Sequence, residues 1–221
     1  MSTATTKAPS AAVTHSNFIS DRLGSALAIL PLGVWTLIHL WNNMAAFQGG
    51  PEWQSAVTEY AHPLAEAITL GIVLLPLVWH TIWGLGRIGQ TRPNYPRYGY
   101  FANLKYILQR LSALGLLAFL GAHLWLAFLK PRLVEGRVEP FSDIAHEMHF
   151  HRPTLLVYIL GVLAIAYHFG NGIHSALMSW GAAATKESLR RWALLAWVIF
   201  VVMLLMGWGA IFALFRAGAS T

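Results

Sequence analysis

The segment AYHFGNGIHS, residues 166–175, places a histidine deep inside a long apolar stretch of the sequence. His168 lies within Pro153–Thr185, a stretch without any Asp, Glu, Lys or Arg. An imidazole in a hydrocarbon environment is costly unless it is paired or serves a site. The rest of the chain therefore has to supply a partner for this ring.

The composition indicates that the apolar stretch lies in a lipid bilayer. Of the 221 residues, 56% are hydrophobic and 11% are charged, whereas a soluble domain has about 25% charged residues. Five uncharged stretches match a hydrocarbon core that needs about 20 residues: Leu23–Pro51, Ala67–Gly86, Leu111–Leu129, Pro153–Thr185 and Trp192–Phe215. The sequence predicts an all-α integral membrane bundle of five transmembrane helices over residues 21–216, with helices at about 21–47, 63–88, 103–129, 153–183 and 189–216.

The charged residues predict the orientation of this bundle. Residues 1–20 contain no apolar signal-peptide core and are predicted to form a flexible tail. Ten of the fifteen Lys and Arg residues fall on the side of the tail, while loop 51–63 on the other side carries Glu52 and Glu59 but no base. The positive-inside rule therefore places the N-terminus in the cytoplasm. Because the bases lie at helix ends, the net charge of +6 indicates topology and not nucleic-acid binding.

Cysteine is absent from the chain. This excludes disulfides, iron–sulphur ligation, thiolate haem ligation and c-type haem attachment by this chain. Histidine is then the strong axial haem ligand available, besides methionine.

Two intramembrane histidines share a level in the outer half of the predicted bundle. His39 lies 17 residues after Arg22, about 25 Å along the first helix at the α-helical rise. His123 lies 18 residues after Lys105, about 27 Å along the third helix by the same rise.

Two more histidines share a level in the inner half, on the helices that run the other way. His80 lies 17 residues after Pro63, about 25 Å down the second helix. His168 lies 15 residues after Pro153, about 22 Å down the fourth helix.

Two histidine pairs at two depths are what two bis-histidine haems across a bilayer require. For any one of these residues, a hydrogen-bonded polar side chain in the bundle is the alternative. Gly84 and Gly172 each follow a candidate ligand by four residues, on the same helix face, where a missing side chain leaves room for a flat macrocycle. The four residues together favour the haem interpretation.

The remaining histidines have less specific settings. His15 and His62 lie in the tail and in a loop, and His146, His149 and His151 form HEMHFH near the outer face, where solvated side chains are favoured over a surface metal site. His174 lies six residues after His168 and so on a different face. We expect it near the inner surface, where a haem propionate or a quinone head group could contact it.

Six motifs carry a resemblance to a known family over nearly the whole chain. They are RLGS at 22–25, LIHLW around His39, LPLVWHTIWG around His80, LQRLSALG at the start of the third helix, GAHLW around His123 and YHFGNGIHSALMSWG around His168. The chain resembles the five-helix, di-haem cytochrome b membrane anchor of succinate:quinone oxidoreductases, which include succinate dehydrogenases and fumarate reductases.

The resemblance implies a function and a set of partners. His80 and His168 would bind the iron of a proximal haem b, and His39 and His123 that of a distal haem b. The chain would pass electrons between an iron–sulphur subunit and membrane quinone, with menaquinone expected, while a flavoprotein subunit interconverts succinate and fumarate on the cytoplasmic side. It would lie in the bacterial inner membrane as a subunit of a respiratory and tricarboxylic acid cycle enzyme, without catalytic residues for the dicarboxylate.

The same resemblance implies contacts around the haems. Those expected to meet propionates or quinone on the inner side are Arg22, Ser25, Gln109, Arg110 and His174. Polar candidates for outer quinone chemistry are Asn42, Asn43, Gln48 and Glu66. Some similar fumarate reductases carry a glutamate two residues before the fourth-helix ligand, and Ala166 occupies that position here, which argues against a proton path of that type.

Two alternatives use the same histidines differently. One is the cytochrome b subunit of a formate dehydrogenase or hydrogenase, against which the YHFGNG context and the depth pairing argue. The other is a haem-free proton-coupled transporter, which would be expected to carry acids or bases within its spans.

Overall fold

A computed structural model describes residues 11–59, 63–90 and 97–220, without the side chains of 11–18, 63, 65 and 90. The described part is helical, with turns and short irregular connections. Five of its helical runs are long and apolar enough to cross a membrane, and we name them spans I to V: Ile19–Phe47, Glu66–Gly89, Phe101–Leu133, Arg152–Ser179 and Lys186–Ser220. The predicted all-α, five-span class is confirmed.

Span I belongs to a continuous helical run that changes its winding three times. The α-helix Ala11–Leu27 is followed by a π-helical segment, Ala28–Gly33, the α-helix Val34–Asn43 and a 3-10 turn, Met44–Phe47. The π-helical segment contains Pro31. Proline has no backbone N–H to donate to the regular α-helical hydrogen bonds, so the winding changes around it. Helical winding is already present at Ala11, the first described residue, and not only from near residue 21. No Gly or Pro interrupts residues 11–23. Residues 1–10 of the predicted tail, and Lys7, lie outside the described residues.

The other spans begin and end close to the predicted limits. Their helices are Pro63–Gln90, Phe101–Leu124 with a π-helical continuation Trp125–Leu129 and Lys130–Leu133, Arg152–Ser179, and Lys186–Ala217 with a 3-10 turn Gly218–Ser220. The fourth helix ends before residue 183, because Gly181 takes a φ of 81° that ends helical winding. Thr185 caps the fifth helix by accepting a hydrogen bond from the Ser188 amide, 3.1 Å. His62 and Arg92 lie outside the described residues.

Two ends of the bundle can be distinguished by their residues. The basic end carries Arg22, Arg87, Lys105, Arg110 and Lys186. The capped end carries two short helices, Gly50–Val57 and Phe141–Phe150, which we call the first and second cap helix.

The two cap helices pack on each other and on the end of span V. Gln54 of the first cap helix donates to the Glu139 carbonyl, 3.0 Å, and accepts from the Phe141 amide, 3.0 Å. His149 Nδ1 lies 2.9 Å from the Phe215 carbonyl. A side chain at Gly218 would come within 2.1 Å of the Ala145 carbonyl. The segment that contains HEMHFH is therefore part of an ordered cap with a hydrophobic underside, Ile144, Ala145 and Met148 being buried.

The HEMHFH motif lies in this cap. Within the described ranges, no group of three or more His, Cys, Asp or Glu side chains is arranged to hold a metal ion. His146 and His151 are exposed, and His149 faces the end of span V.

Spans IV and V pack closely because small residues line their contact. A side chain at Gly170 would come within 2.8 Å of the Ala196 carbonyl, and one at Gly207 within 2.5 Å of Val162. Ala166 is fully buried in a core cluster with Leu40 and Met203. Ala166, at the position where some similar fumarate reductases carry a glutamate, is therefore surrounded by apolar side chains.

One carboxyl is buried in the cap. Glu139 is 4% exposed, and burial, helped by the nearby Asp143 carboxylate, raises its pKa from 4.5 to about 7. The Arg137 guanidinium acts in the opposite direction. A carboxyl whose pKa is raised in the folded protein binds a proton that the unfolded chain has released, so the free energy of unfolding falls as pH rises from about 4.5 to 7.

We predict that Glu139→Gln makes the protein more stable than wild type at pH 8, by about 1–3 kcal/mol, and leaves stability little changed at pH 4.5. The reason is that the amide removes the ionisation that opposes folding. The measurement is the apparent unfolding temperature of the purified protein in detergent at both pH values. Glu59→Gln, at an exposed position on the same end, is the control without such an effect. Equal stability of Glu139→Gln and wild type at pH 8 would contradict the assignment.

Candidate functional site

The structure brings the four intramembrane histidines together in two pairs. The ring centroids of His80 and His168 are 6.2 Å apart, with planes inclined by 70°. Those of His39 and His123 are 5.9 Å apart, with planes inclined by 72°. These are the pairs that share a level in the sequence, and each joins residues from two different spans.

The spacing within each pair fits a shared metal ion. Two imidazole nitrogens that each lie about 2 Å from one ion have ring centres about 6 Å apart. Edge-to-face contact between two rings covers the same range of centroid distances, about 4.5–7 Å, whereas a hydrogen bond between the two imidazoles would bring the rings closer. The histidines that share a level in the sequence are thus neighbours in the structure, at a spacing that two imidazoles bound to one metal ion would also have.

The His80–His168 pair has a neighbour at the Nδ1 atom of each ring. His80 Nδ1 lies 3.1 Å from the Gly24 carbonyl of span I. His168 Nδ1 lies 3.3 Å from the Gln109 carbonyl and 3.2 Å from the Gln109 side-chain amide. Contacts at Nδ1 fix the orientation of a ring and leave Nε2 for a metal.

Gln109 is held in place by span IV. Its Nε2 donates to the His168 carbonyl, 3.0 Å, and its Oε1 accepts from Asn171 Nδ2, 2.7 Å. Gln109 was expected at a propionate or quinone. The structure places its side chain against the His168 ring, and Gln109 also lines the large cavity beside this histidine pair.

The rings of the His39–His123 pair are oriented differently. His123 Nδ1 lies 3.1 Å from the Tyr158 hydroxyl. His39 stacks on Trp35, with centroids 4.7 Å apart, and its Nε2 lies 3.3 Å from Asn43 Nδ2. A ligand role for His39 through Nε2 therefore requires its ring to turn away from Asn43.

A large cavity opens beside the His80–His168 pair. It has a volume of about 440 Å³ and is bordered by spans I to IV. Gly84 and Gly172, expected to leave room for a macrocycle, both line it. A side chain at Gly84 would meet nothing within 4 Å.

Polar residues line this cavity towards the basic end. Three of the residues expected to contact a propionate or quinone on the inner side, Ser25, Gln109 and Arg110, are among them. Ser25 accepts a hydrogen bond from Trp180 Nε1, 3.1 Å. Arg22 does not line the cavity, and its guanidinium lies 3.5 Å from the carbonyl of Ser179, which does.

Arg87 also lines the cavity, and sequence reasoning missed it. It pairs with Asp21 at 2.9 Å. The sequence could have predicted this position, because Arg87 lies seven residues after His80, which places the two side chains two turns apart on the same face of the helix.

His174 lies on the other side of span IV. It is buried and lines a second cavity of about 30 Å³ together with Lys105, Tyr167 and Asn171. The structure does not bring it to the larger cavity.

The polar candidates at the capped end have structural partners. Asn42 donates to the Ala56 carbonyl, 3.1 Å, and Asn43 accepts from Trp53 Nε1, 3.1 Å, so both tie span I to the first cap helix. Glu66 pairs with Arg132 at 2.9 Å, which explains how an acid is tolerated near the start of span II. Gln48 is exposed.

Comparisons with known proteins agree with this architecture. Residues 90–208 match the family described as succinate dehydrogenase/fumarate reductase transmembrane subunit. The chain is 31% identical over 202 residues to the succinate dehydrogenase cytochrome b558 subunit of Bacillus subtilis (strain 168), covering 89% of this chain and 96% of that relative. No solved structure matches the chain significantly. A family match over more than half of the chain, together with a relative aligned over nearly its full length, shows that this protein belongs to the succinate dehydrogenase/fumarate reductase transmembrane subunit family.

Proposed function

We propose that the chain is the membrane anchor and electron-transfer subunit of a succinate dehydrogenase/fumarate reductase complex. In this proposal it passes electrons between an iron–sulphur subunit and membrane quinone through two b-type haems. The observation that carries the proposal is the pair of 6.2 Å and 5.9 Å imidazole separations at two levels of one bundle. The name of the B. subtilis relative supports the type of complex.

His80 and His168 are the proposed axial ligands of the proximal haem, and His39 and His123 those of the distal haem. Bound haem supplies reversible one-electron redox chemistry. Each pair would hold its iron through two imidazoles and leave no position for an external ligand, which suits electron transfer.

The large cavity suits the proximal macrocycle. Gly84 and Gly172 leave its walls open beside the ligands, and apolar side chains such as Leu117 and Ile165 line the remainder. Arg110 and Ser25 are proposed propionate contacts, with Arg87 added from the structure. The roles of Arg22 and His174 at a propionate or a quinone stay predictions.

The proposed orientation follows from charge. The basic end would face the cytoplasm, where positively charged residues are retained, and would meet the iron–sulphur and flavoprotein subunits. The capped end would face outward from the bacterial inner membrane. Menaquinone is the proposed quinone, and the chain itself would not bind the dicarboxylate.

The partner proteins test the type of complex directly. We predict that this chain, purified from native membranes in mild detergent, brings with it a flavoprotein and an iron–sulphur subunit, identified by peptide mass spectrometry. Recovery of the large subunit of a formate dehydrogenase or a hydrogenase would instead support that alternative. A chain without any redox partner and without haem would support a transporter.

Ligand substitutions test the two haem sites. We predict that His80→Ala or His168→Ala removes one of two haems, and that the double change of His39 and His123 to Ala removes only the other, because each pair holds its own iron. Haem per chain is measured by the pyridine haemochromogen assay and the reduced-minus-oxidised spectrum. His174→Ala, a buried histidine on the same span as His168, keeps both.

Two outcomes would contradict this assignment. The first is a wild-type spectrum without a b-type α-band. The second is loss of both haems from His168→Ala in a chain that remains folded.

A matched pair of glycines tests the cavity. We predict that Gly84→Leu lowers proximal haem content at least several-fold, because the new side chain fills space that the macrocycle needs. Gly86→Leu, two residues further along span II and outside the cavity lining, keeps both haems. Neither position has an atom within 4 Å of a new Cβ, so the fold tolerates both. Equal haem content in the two variants would count against the cavity as the proximal site.

A further inference from the structure

The two histidine pairs differ in what contacts their rings. In the pair near the basic end, His80 Nδ1 contacts the Gly24 carbonyl. His168 Nδ1 contacts both the carbonyl and the side-chain amide of Gln109, with the Ser112 hydroxyl at 3.5 Å. His123, in the other pair, has a side-chain hydroxyl, that of Tyr158, at 3.1 Å. Nothing in the sequence motifs singled out Tyr158.

Tyr158 is a fixed neighbour of His123. Its side chain is 7% exposed, and its ring meets that of His123 edge to face, with centroids 5.6 Å apart and planes inclined by 72°. Phe119, one helical turn before His123, stacks on the imidazole at 5.4 Å and meets the Tyr158 ring at 5.3 Å. The imidazole is therefore confined on two sides by aromatic rings.

Gly161 makes this arrangement possible. It lies three residues after Tyr158, on the same face of span IV. A side chain there would come within 2.1 Å of the Phe119 ring. Its absence lets Phe119 lie against span IV beside Tyr158.

The cap holds Tyr158 from the other side. Tyr158 belongs to a buried cluster that includes Trp53 of the first cap helix and Ile144, Ala145 and Met148 of the second. Trp53 in turn donates to Asn43, which donates to the His39 carbonyl, 2.8 Å. This hydrophobic cluster is thus linked to His123 through Tyr158 and to His39 through Trp53 and Asn43.

We propose that Tyr158 is a positioning residue for the distal haem ligand His123, held in register by the cap, and that it lowers the reduction potential of the distal haem. The inference rests on the proposed function, because it requires a haem iron at His123. An imidazole that binds a metal through Nε2 carries its proton on Nδ1, so His123 donates to the Tyr158 oxygen.

The direction of the effect follows from this hydrogen bond. Donation from Nδ1 to an acceptor makes the imidazole a stronger electron donor at Nε2, which favours the oxidised iron. Removal of the Tyr158 hydroxyl leaves the Nδ1 proton without its acceptor. The imidazole then donates less electron density to the iron, so the oxidised iron is stabilised less. The distal reduction potential then rises, while the proximal pair, whose ring contacts come from Gly24, Gln109 and Ser112, is unaffected.

The test is Tyr158→Phe in the purified haem-loaded complex, with redox titration of both haems and low-temperature EPR of the oxidised protein. The ring stays and only the hydroxyl is lost. We expect full haem content, an upward shift of the distal midpoint potential, a changed distal low-spin signal, and an unchanged proximal haem. Tyr167→Phe is the matched control, since the buried Tyr167 hydroxyl on the same span has no hydrogen-bond partner among the described residues. It should change neither haem.

A second variant probes the cap. Met148→Ala opens the cluster beneath Tyr158 without touching His123, because Met148 is fully buried in the second cap helix. We expect a broadened or shifted distal EPR signal with the proximal signal intact.

The outcomes separate this inference from the proposed function. Two haems in wild type with no distal change in Tyr158→Phe would overturn the positioning role alone, as would equal shifts of both haems or the same shift in Tyr167→Phe. A wild-type protein without b-type haem would overturn the proposed function first.

Discussion

The site depends on hydrogen bonds at the nitrogens of imidazoles that lie within the membrane-spanning part of the bundle. A neutral imidazole has one donor and one acceptor nitrogen, and hydrocarbon offers partners for neither. At His80, His123 and His168 a neighbour contacts Nδ1. Each contact gives one nitrogen of its ring a polar partner. The same contacts make the rings tolerable in the bilayer, and under the proposed function they leave Nε2 for the haem iron.

Span I links the two sites. Its Gly24 carbonyl contacts His80, and fifteen residues later His39 joins the other pair. The π-helical segment Ala28–Gly33 lies between them, and such irregular turns are frequent at functional sites. Gly24 packs so closely that a side chain would come within 2.6 Å of Trp83, so the approach of spans I and II is part of the His80 site. Asn42 and Asn43 tie the far end of span I to the cap.

Much of the fold and of the candidate site could be predicted from local properties of the chain. Hydrophobic length predicted five spans, and the constant helical rise placed the histidines at two levels with the pairing that the structure shows. Side-chain roles were harder to predict. Gln109 contacts the His168 ring as well as lining the large cavity, Arg87 was missed, and His174 lies in a separate cavity. The polar loop at 134–152 contains an ordered cap helix, because its apolar residues find a partner surface on span V.

The sequence by itself determined the class of protein, the number of spans and the depth of each histidine. These follow from hydrophobicity and from distance along a helix, which are properties of one segment at a time. Only the tertiary structure decided how each span is rotated about its axis, and hence which nitrogen of each ring meets which neighbour. Rotation depends on close contacts between segments far apart in the chain, such as Gly24 with Trp83 and Gly161 with Phe119. The Tyr158 contact with His123, and its support by the cap, belong to this second kind of information.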